Sequence, residues 1–334
     1  MRKIKIAQIG INYLSHSVHI FDTLKWNPDV FELVGYCLVE DERSLGYSKL
    51  KHMEGYPELT LEEILNDPTI EAVTVETDEI HLNKYAIMAA EAGKHIHMEK
   101  PGSQDLESFT KLINTVKRTG KLLHLGYMYR YHPYVAEAIR RARAGEFGHI
   151  YSVEALMGRL DDHTERAWLS TFRGGMMFYL GCHLIDIVVQ LQGLPESVVP
   201  LNCATGIGGV EAEDMGFAVL RYPNAVSQVR MAATELGGVK RRQLVICGEK
   251  ETLEINPLEM TVKGPHYLVR ADQRHVTLNE EGKQQWVEES LEPFPRYEQM
   301  LLSFAAMVRG EMENPWTPEY ELELFKVILR CCGM

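Results

Sequence analysis

The chain reads as two parts: an α/β Rossmann-like, doubly wound parallel sheet, then an α+β region with a large, mostly antiparallel open sheet. Three observations predict this. Short apolar runs alternate with amphipathic helical patterns through the first 126 residues. The first apolar run ends at Gly10 and leads directly into a helical pattern. Beyond about residue 150, strand patterns crowd together without helices between them. The boundary falls at 126/127, giving domains 1–126 and 127–334.

Each element has a local cause. Ile4 to Ile9 is an apolar strand, and Leu14, Val18, Phe21 and Leu24 then share one helical face. Phe31 to Leu38 is the second strand. Thr60-Leu61-Glu62-Glu63 is a capping box that opens a short helix. Ala72 to Val75 is a strand, and the helix after it stops at Gly93. His95 to Met98 is the next strand. Ser103 is placed to cap a helix with Leu106, Phe109, Leu112, Ile113 and Val116 on its buried side, closed by Gly120. Leu122 to Leu125 completes the alternation. Pro133 to Ala144 is helical, and strands are expected at 150–157, 198–204, 215–222, 225–234, 243–247 and 251–255. Tyr222-Pro223-Asn224-Ala225 forms a hairpin turn, and helices near 296–309 and 319–330 end the chain.

Composition removes several function classes. The chain has 334 residues, enough for about two domains of ordinary size. Its formal net charge of -12 argues against nucleic-acid binding, which leaves a basic footprint. Arg140, Arg141 and Arg143 form the solvated face of one helix. No apolar run is long enough for a membrane span, and the start shows no signal-peptide pattern, so the default location is cytoplasmic. Six cysteines without a CxxC pair, two of them adjacent at a frayed end, fit reduced thiols.

A strand, a glycine turn and a helix N-terminus together make a pyrophosphate site. The full pattern is G-x-G-x-x-G; here Gly10-Ile11-Asn12-Tyr13-Leu14-Ser15 keeps only the first glycine. Asn12 tolerates a left-handed backbone and Ser15 is small, so the loop stays compatible with a nucleotide, as it does with a plain βα turn. An acidic residue is expected at the end of the second strand for the ribose, where the chain has Leu38 followed by Glu40 and Asp41. Arg43 nearby leaves NAD and NADP both open.

Two stretches carry the chemistry. Gly93-Lys94-His95-Ile96-His97-Met98-Glu99-Lys100-Pro101 resembles the G-K-H-x-x-x-E-K-P signature of the Gfo/Idh/MocA oxidoreductases, a family that includes glucose–fructose oxidoreductase and inositol dehydrogenases. Gly174 to Gly193 resembles that family's G-G-x-x-x-D-x-G-x-H-x-x-D-x-x-x-x-L-x-G helix. Gly126 to Pro133, Glu213-Asp214 and Ile246 to Leu253 resemble its motifs in the same order, so the resemblance covers the whole chain.

The resemblance implies an NAD or NADP cofactor lined by Gly10, Asn12, Tyr13, Leu14, Leu38, Thr77, His81, Glu99 and Lys100. It also implies a sugar or polyol substrate, with Lys100 binding the reacting hydroxyl and His183 as acid/base. Physically, Lys100 ends a parallel strand, where ligands of wound sheets bind, and can stabilise charge on a substrate oxygen. Imidazole suits proton transfer because its pKa lies near working pH. Tyr179, His183, Asp186 and Gln190 fall at i, i+4, i+7 and i+11, one polar stripe along a helix. Asp186 would orient His183 or bind a further hydroxyl. Tyr179 stands where the family has a carboxylate, so the imidazole lacks that charged neighbour.

Arg159, Asp161, Asp162, His163, Arg166 and Trp168 form a polar loop, which fits polyol recognition or simple solvation. Arg166, Trp168 and Tyr129 are the candidate substrate contacts, and Arg130 is structural. No metal is expected, because Asp161, His163, His183 and Asp186 lack tight ligand spacing. Some relatives cleave glycosidic bonds by transient oxidation with a retained NAD, and others bind nucleotide or sugar as regulators. A second copy would cover the open sheet face, giving a homodimer or homotetramer.

Overall fold

The computed structural model describes residues 2–12, 14–45 and 47–334, so Tyr13 lies outside the described residues. The chain divides into two compact units, Met1–Tyr127 with Tyr297–Leu322, and Met128–Arg296 with Glu323–Met334. The change of unit after Tyr127 lies one residue from the expected boundary. The return at 297–322 was not expected, because a helix of ordinary amphipathic pattern carries no mark of the unit it joins.

The first unit holds a five-stranded parallel sheet of β1 (Ile4–Ile9), β2 (Phe31–Cys37), β3 (Ala72–Val75), β4 (His95–Met98) and β5 (Leu123–Leu125). Its order is β2-β1-β3-β4-β5. A lone parallel bridge, Tyr36 to Glu58, extends β2 outward where another strand would lie. The strands are almost entirely buried because helices cover both faces, as their near-continuous Ile, Val and Ala demand. The order reverses between β1 and β3, and the crevice beyond their C-terminal ends is the natural ligand position.

The helix caps follow local chemistry. The Thr60–Glu63 capping box forms at the head of helix Leu61–Asn66. Gly120 closes helix Leu106–Thr119 in the left-handed conformation. That helix is capped by Asp105, which accepts from the amide of Ser108; Ser103, the expected cap, instead turns its hydroxyl to the carbonyl of Asp105. An ionised carboxylate one helical position from the first turn is the better acceptor. In the returning segment, Phe304 packs fully buried against His97 and His124, ring centroids 5.8 and 5.5 Å apart. Those two imidazoles share a 2.7 Å Nδ1 to Nδ1 hydrogen bond, and burial pushes His97 down to about 3.

The second unit is built on an eight-stranded sheet. Its strands are β6 (Ile150–Gly158), β7 (Ser197–Pro200), β8 (Met215–Tyr222), β9 (Ala225–Ala232), β10 (Gln243–Gly248), β11 (Thr252–Ile255), β14 (Asp272–Leu278) and β15 (Gln284–Ser290). The order is β15-β14-β11-β10-β6-β9-β8-β7, antiparallel except for the β6–β9 pair. The expected Tyr222–Ala225 turn joins β8 to β9 in register. Short strands β12 (Met260–Thr261), β13 (Leu268–Arg270) and β16 (Phe294–Pro295) form a small separate sheet. Strands β12 to β16 were not foreseen. The longest of them, β14 and β15, carry Gln, Arg, Glu and Thr in place of alternating apolar residues, and β15 is exposed along its length. Cys331 and Cys332 are buried in the last helix, Pro318–Cys331, and its following residue, not frayed.

Buried charge holds this unit together. Glu259 accepts from Arg296 at 2.7 and 2.6 Å and from Arg242 at 2.5 Å, with 5% of its surface exposed. Burial alone would raise its pKa, but the two guanidinium groups win and hold it at about 2, below the ordinary 4.5. A carboxyl depressed by folding stabilises the fold above its unfolded pKa and loses that effect as pH falls through the folded value. Glu259→Gln is therefore expected to lower Tm most at pH 7, with the gap to the wild type closing between about pH 4.5 and 2; thermal melts across that range check it.

Candidate active site

Three loops meet at the C-terminal edge of the parallel sheet in the first unit. Gly10 follows β1 with φ +85°, and a Cβ there would lie 2.7 Å from the Thr77 side chain, so only glycine fits. Main-chain bonds tie the loops. Gly10 N donates to Cys37 O at 2.9 Å, Glu76 N to Ile9 O at 2.8 Å, and Asn12 N to Glu76 O at 2.7 Å.

Asn12 is fully buried, and its side-chain oxygen accepts from the amides of Leu14 at 2.8 Å and Ser15 at 3.2 Å. Its amide nitrogen donates to Glu79 Oε2 at 3.0 Å. Lys49 Nζ donates to the carbonyls of Asn12 at 2.7 Å and Ser15 at 3.1 Å. Glu76, wholly buried, has neither carboxyl oxygen hydrogen-bonded among the described residues; its nearest ring nitrogen is His97 Nε2 at 3.8 Å. Burial, reinforced by Glu99, holds Glu76 well above the usual carboxylate range. Burial also raises Glu79 and Glu42 to about 7 each and lowers Lys49 to about 8.

Sequence reasoning marked Thr77 and His81 in this loop and missed Glu76, Glu79 and Lys49. The signal was present: Glu76-Thr77-Asp78-Glu79 places three acids directly after an apolar strand, at the ligand edge of the sheet. Leu38 packs against the cluster of Phe21, Tyr36 and Met53. Glu40, the substitute ribose ligand, accepts from Lys84 at 2.6 Å and Tyr85 at 2.8 Å and faces His81 at 3.7 Å. Arg43 pairs with Glu58 at the surface.

Lys100 follows the end of β4, just beyond Glu99, with only 2% of its surface exposed. Its ammonium lies 3.4 Å from Glu99 Oε1, and its backbone amide donates to the same oxygen at 3.1 Å. A buried ammonium is tolerated because this carboxylate neutralises it.

In the second unit the helix after Gly175 is not regular. Gly175 has φ +48°, and a Cβ would meet the Glu213 carbonyl at 2.3 Å. Residues Met177–Gly181 form a π-helical turn, followed by the α-helix Cys182–Gln192. Of the expected polar stripe, Tyr179 lies in the π turn, and His183, Asp186 and Gln190 lie in the α-helix that follows it. Tyr179 packs edge-on to Trp168, centroids 5.0 Å apart, and near Phe172 at 6.2 Å. His183 packs instead edge-on to Tyr129 at 5.3 Å, both rings buried.

Asp186 is held by Arg130 through two bonds of 3.0 and 2.9 Å, and accepts from Gln190 at 2.9 Å. Both members of that ion pair are about 1% exposed. This gives Asp186 an anchoring position, docking the helix on the turn Met128–Tyr131, as the reading of Arg130 as structural requires. Arg166, expected at the substrate, is turned inward to Asp214 Oδ2 at 3.1 Å and the Ile207 carbonyl at 2.8 Å. Its sequence neighbours Glu165, Ala167 and Trp168 are only partly buried, so nothing local marks it as a buried strut. Half-exposed Trp168 keeps its place beside Tyr179, and Arg159 pairs with Asp161 nearby.

A wound parallel sheet whose order reverses between β1 and β3, with its ligand edge beyond them, is the architecture of the dinucleotide-binding class of domains. Residues 4–127 match the family model described as the oxidoreductase family, NAD-binding Rossmann fold, and residues 135–254 match the GFO/IDH/MocA C-terminal domain. The chain belongs to the GFO/IDH/MocA oxidoreductase family. It is 25% identical over 301 residues to 1,5-anhydro-D-fructose reductase of Ensifer adhaerens, covering 86% of this chain and 84% of that one. Over 131 residues it is 42% identical to scyllo-inositol 2-dehydrogenase (NAD(+)) of Bacillus subtilis, 39% of this chain and 38% of the relative. Aldose-aldose oxidoreductase from Caulobacter crescentus, solved with glycerol, shares the fold with a TM-score of 0.78 at 21% identity, covering 99% and 98% of the two chains.

The first unit suits the donor-bearing parts of a dinucleotide. The buried acceptors of Glu76 match ribose hydroxyls and a carboxamide, and Glu99 stands beside them. The amides that would hold the diphosphate are bonded to Asn12. Folding carries Glu79 from an ordinary 4.5 up to about 7, so the folded chain keeps a proton that the unfolded chain releases. Its contribution therefore turns against the fold as pH rises from about 4.5 to 7. Glu79→Gln, which keeps an acceptor for Asn12, is expected to raise Tm at pH 8 by several degrees and to leave it unchanged at pH 4; melts at the two pH values test this.

Proposed function

We propose that the chain is an NAD(P)-dependent oxidoreductase that interconverts a hydroxyl and a carbonyl on a sugar, polyol or similar small molecule. The observation that carries this reading is Lys100, buried beside Glu99 at the end of β4 in a domain matched to the family's NAD-binding model. The relatives named for an anhydrofructose and an inositol supply the substrate class.

The cofactor, when bound, supplies a carbon that accepts or returns hydride. Gly10 to Ser15, Leu38, Thr77, His81 and Glu99 would hold it. Lys100 donates a hydrogen bond to the reacting oxygen and stabilises charge there, while Glu99, 3.4 Å away, orients the ammonium. His183 takes the hydroxyl proton in oxidation and returns it in reduction. Tyr129 buttresses the imidazole with its ring edge, and the Arg130–Asp186 pair fixes the helix that carries it. Trp168 offers an indole face of the kind that packs on a sugar ring. Asp186 and Arg166 are held within the second unit by their ion pairs with Arg130 and Asp214.

The outward side chains of the second unit's sheet include Phe217, Val219, Val226, Leu156 and Val245, a face that a second copy would cover. The test of function is a screen of sugars and polyols by nicotinamide absorbance, then Lys100→Ala and His183→Ala on the substrate found. Each variant is expected to lower kcat by about 10²–10⁴-fold, the range for loss of one acid–base or charge-stabilising group. Lys100→Ala is expected to lower Tm as well, because it leaves Glu99 buried without its ammonium partner. Wild-type rates in both would remove these two residues from the mechanism.

A further inference from the structure

A dinucleotide's diphosphate sits on the free amides at the head of the first helix of its domain, where N–H groups and the helix dipole favour negative charge. In this chain those donors are already bonded. The amides of Leu14 and Ser15 point to Asn12 Oδ1, at 2.8 and 3.2 Å, ahead of helix Ser17–Trp26. The Asn12 oxygen thus stands on the donors that a phosphate oxygen would use.

The cap is itself fastened. Asn12 Nδ2 donates to Glu79 Oε2 at 3.0 Å, and Ser17 Oγ donates to the Asn12 carbonyl at 3.1 Å. Lys49 ties the Asn12 and Ser15 carbonyls from the other side. Asn12 is fully buried, and beside it Glu76, whose backbone carbonyl accepts from the Asn12 amide, has a buried carboxyl with neither oxygen hydrogen-bonded among the described residues. The position is the second glycine of G-x-G-x-x-G, whose purpose is to leave the phosphate room.

Resting on the oxidoreductase reading, we propose that Asn12 is an internal cap on the diphosphate site. A dinucleotide binds only when this side chain leaves the Leu14 and Ser15 amides, so the cap sets cofactor affinity. The residue acts on binding before any chemistry, and Glu79 positions it. The device makes dinucleotide binding weaker than the bare loop would allow, and it satisfies the Leu14 and Ser15 amides when no cofactor is bound.

The experiment is titration of the full chain with NADH and with NADPH, read by nicotinamide fluorescence and calorimetry, for the wild type, Asn12→Ala and Asn12→Gly. Asn12 does not have a positive φ, so alanine takes its backbone without strain and carries the test if the glycine variant folds poorly. Asn12→Ala is expected to lower Tm without cofactor and to tighten Kd for the preferred dinucleotide about tenfold, equivalent to ~1.4 kcal/mol. A side chain of purely structural importance would lower Tm and leave Kd unchanged or weaker. Equal or weaker binding by the folded variants overturns the cap and leaves the oxidoreductase reading intact. No saturable binding by any of the three overturns that reading and the cap with it.

Discussion

The contact between Gly10 and Thr77 is the constraint on which the first unit's ligand edge depends. With a Cβ at Gly10 the loops after β1 and β3 could not close on each other. Because they do close, Asn12 reaches the Glu76 carbonyl with its backbone and Glu79 with its side chain. Thr77 in turn lies one residue from a carboxyl that burial keeps protonated far above the usual range. A polar cluster this deep needs its charges offset: Lys100 stands 3.4 Å from Glu99, and burial raises Glu76, Glu79 and Glu42, which favours their uncharged forms.

The second unit answers a different demand. Its sheet presents long strands of which several have no apolar alternation, so packing alone does not fix its helices and small sheet. Arg130 with Asp186, Arg166 with Asp214, and Arg296 and Arg242 with Glu259 supply that fixation through bidentate or shared guanidinium bonds. Arginine suits the task because its planar fork orients the carboxylate as well as neutralising it. Two of these acids and bases had the appearance of site residues in the sequence, since type and motif position do not distinguish a strut from a ligand.

What the sequence made legible were features written locally. Apolar runs gave the parallel strands, Thr60 with Glu63 gave a helix head, Gly120 gave a helix end, and Glu99-Lys100-Pro101 marked the ligand edge. The rest depended on partners far along the chain. Asn12 signals tolerance of a left-handed backbone, yet its place is decided by Glu79, 67 residues away. The π turn at Met177–Gly181 has no residue code of its own, and neither does the packing of Tyr179, which lies within it, on Trp168. Strands β14 and β15 were silent because they carry no apolar alternation; main-chain pairing and polar side-chain contacts such as Arg274 with Glu254 define them.

The return of Tyr297–Leu322 to the first unit sets an order of events during synthesis. Residues 1–127 leave the ribosome early, but the aromatic lid on His97 and His124 is Phe304, and the Leu123 carbonyl waits for Asn314. Until some 170 further residues have been made, the nascent domain carries two buried imidazoles bare on one side and a strand end without its amide. The first unit is therefore no free-standing cassette. A fragment cut where the family match ends would expose that surface permanently, and exchanging nucleotide domains between relatives requires carrying two separate pieces of chain.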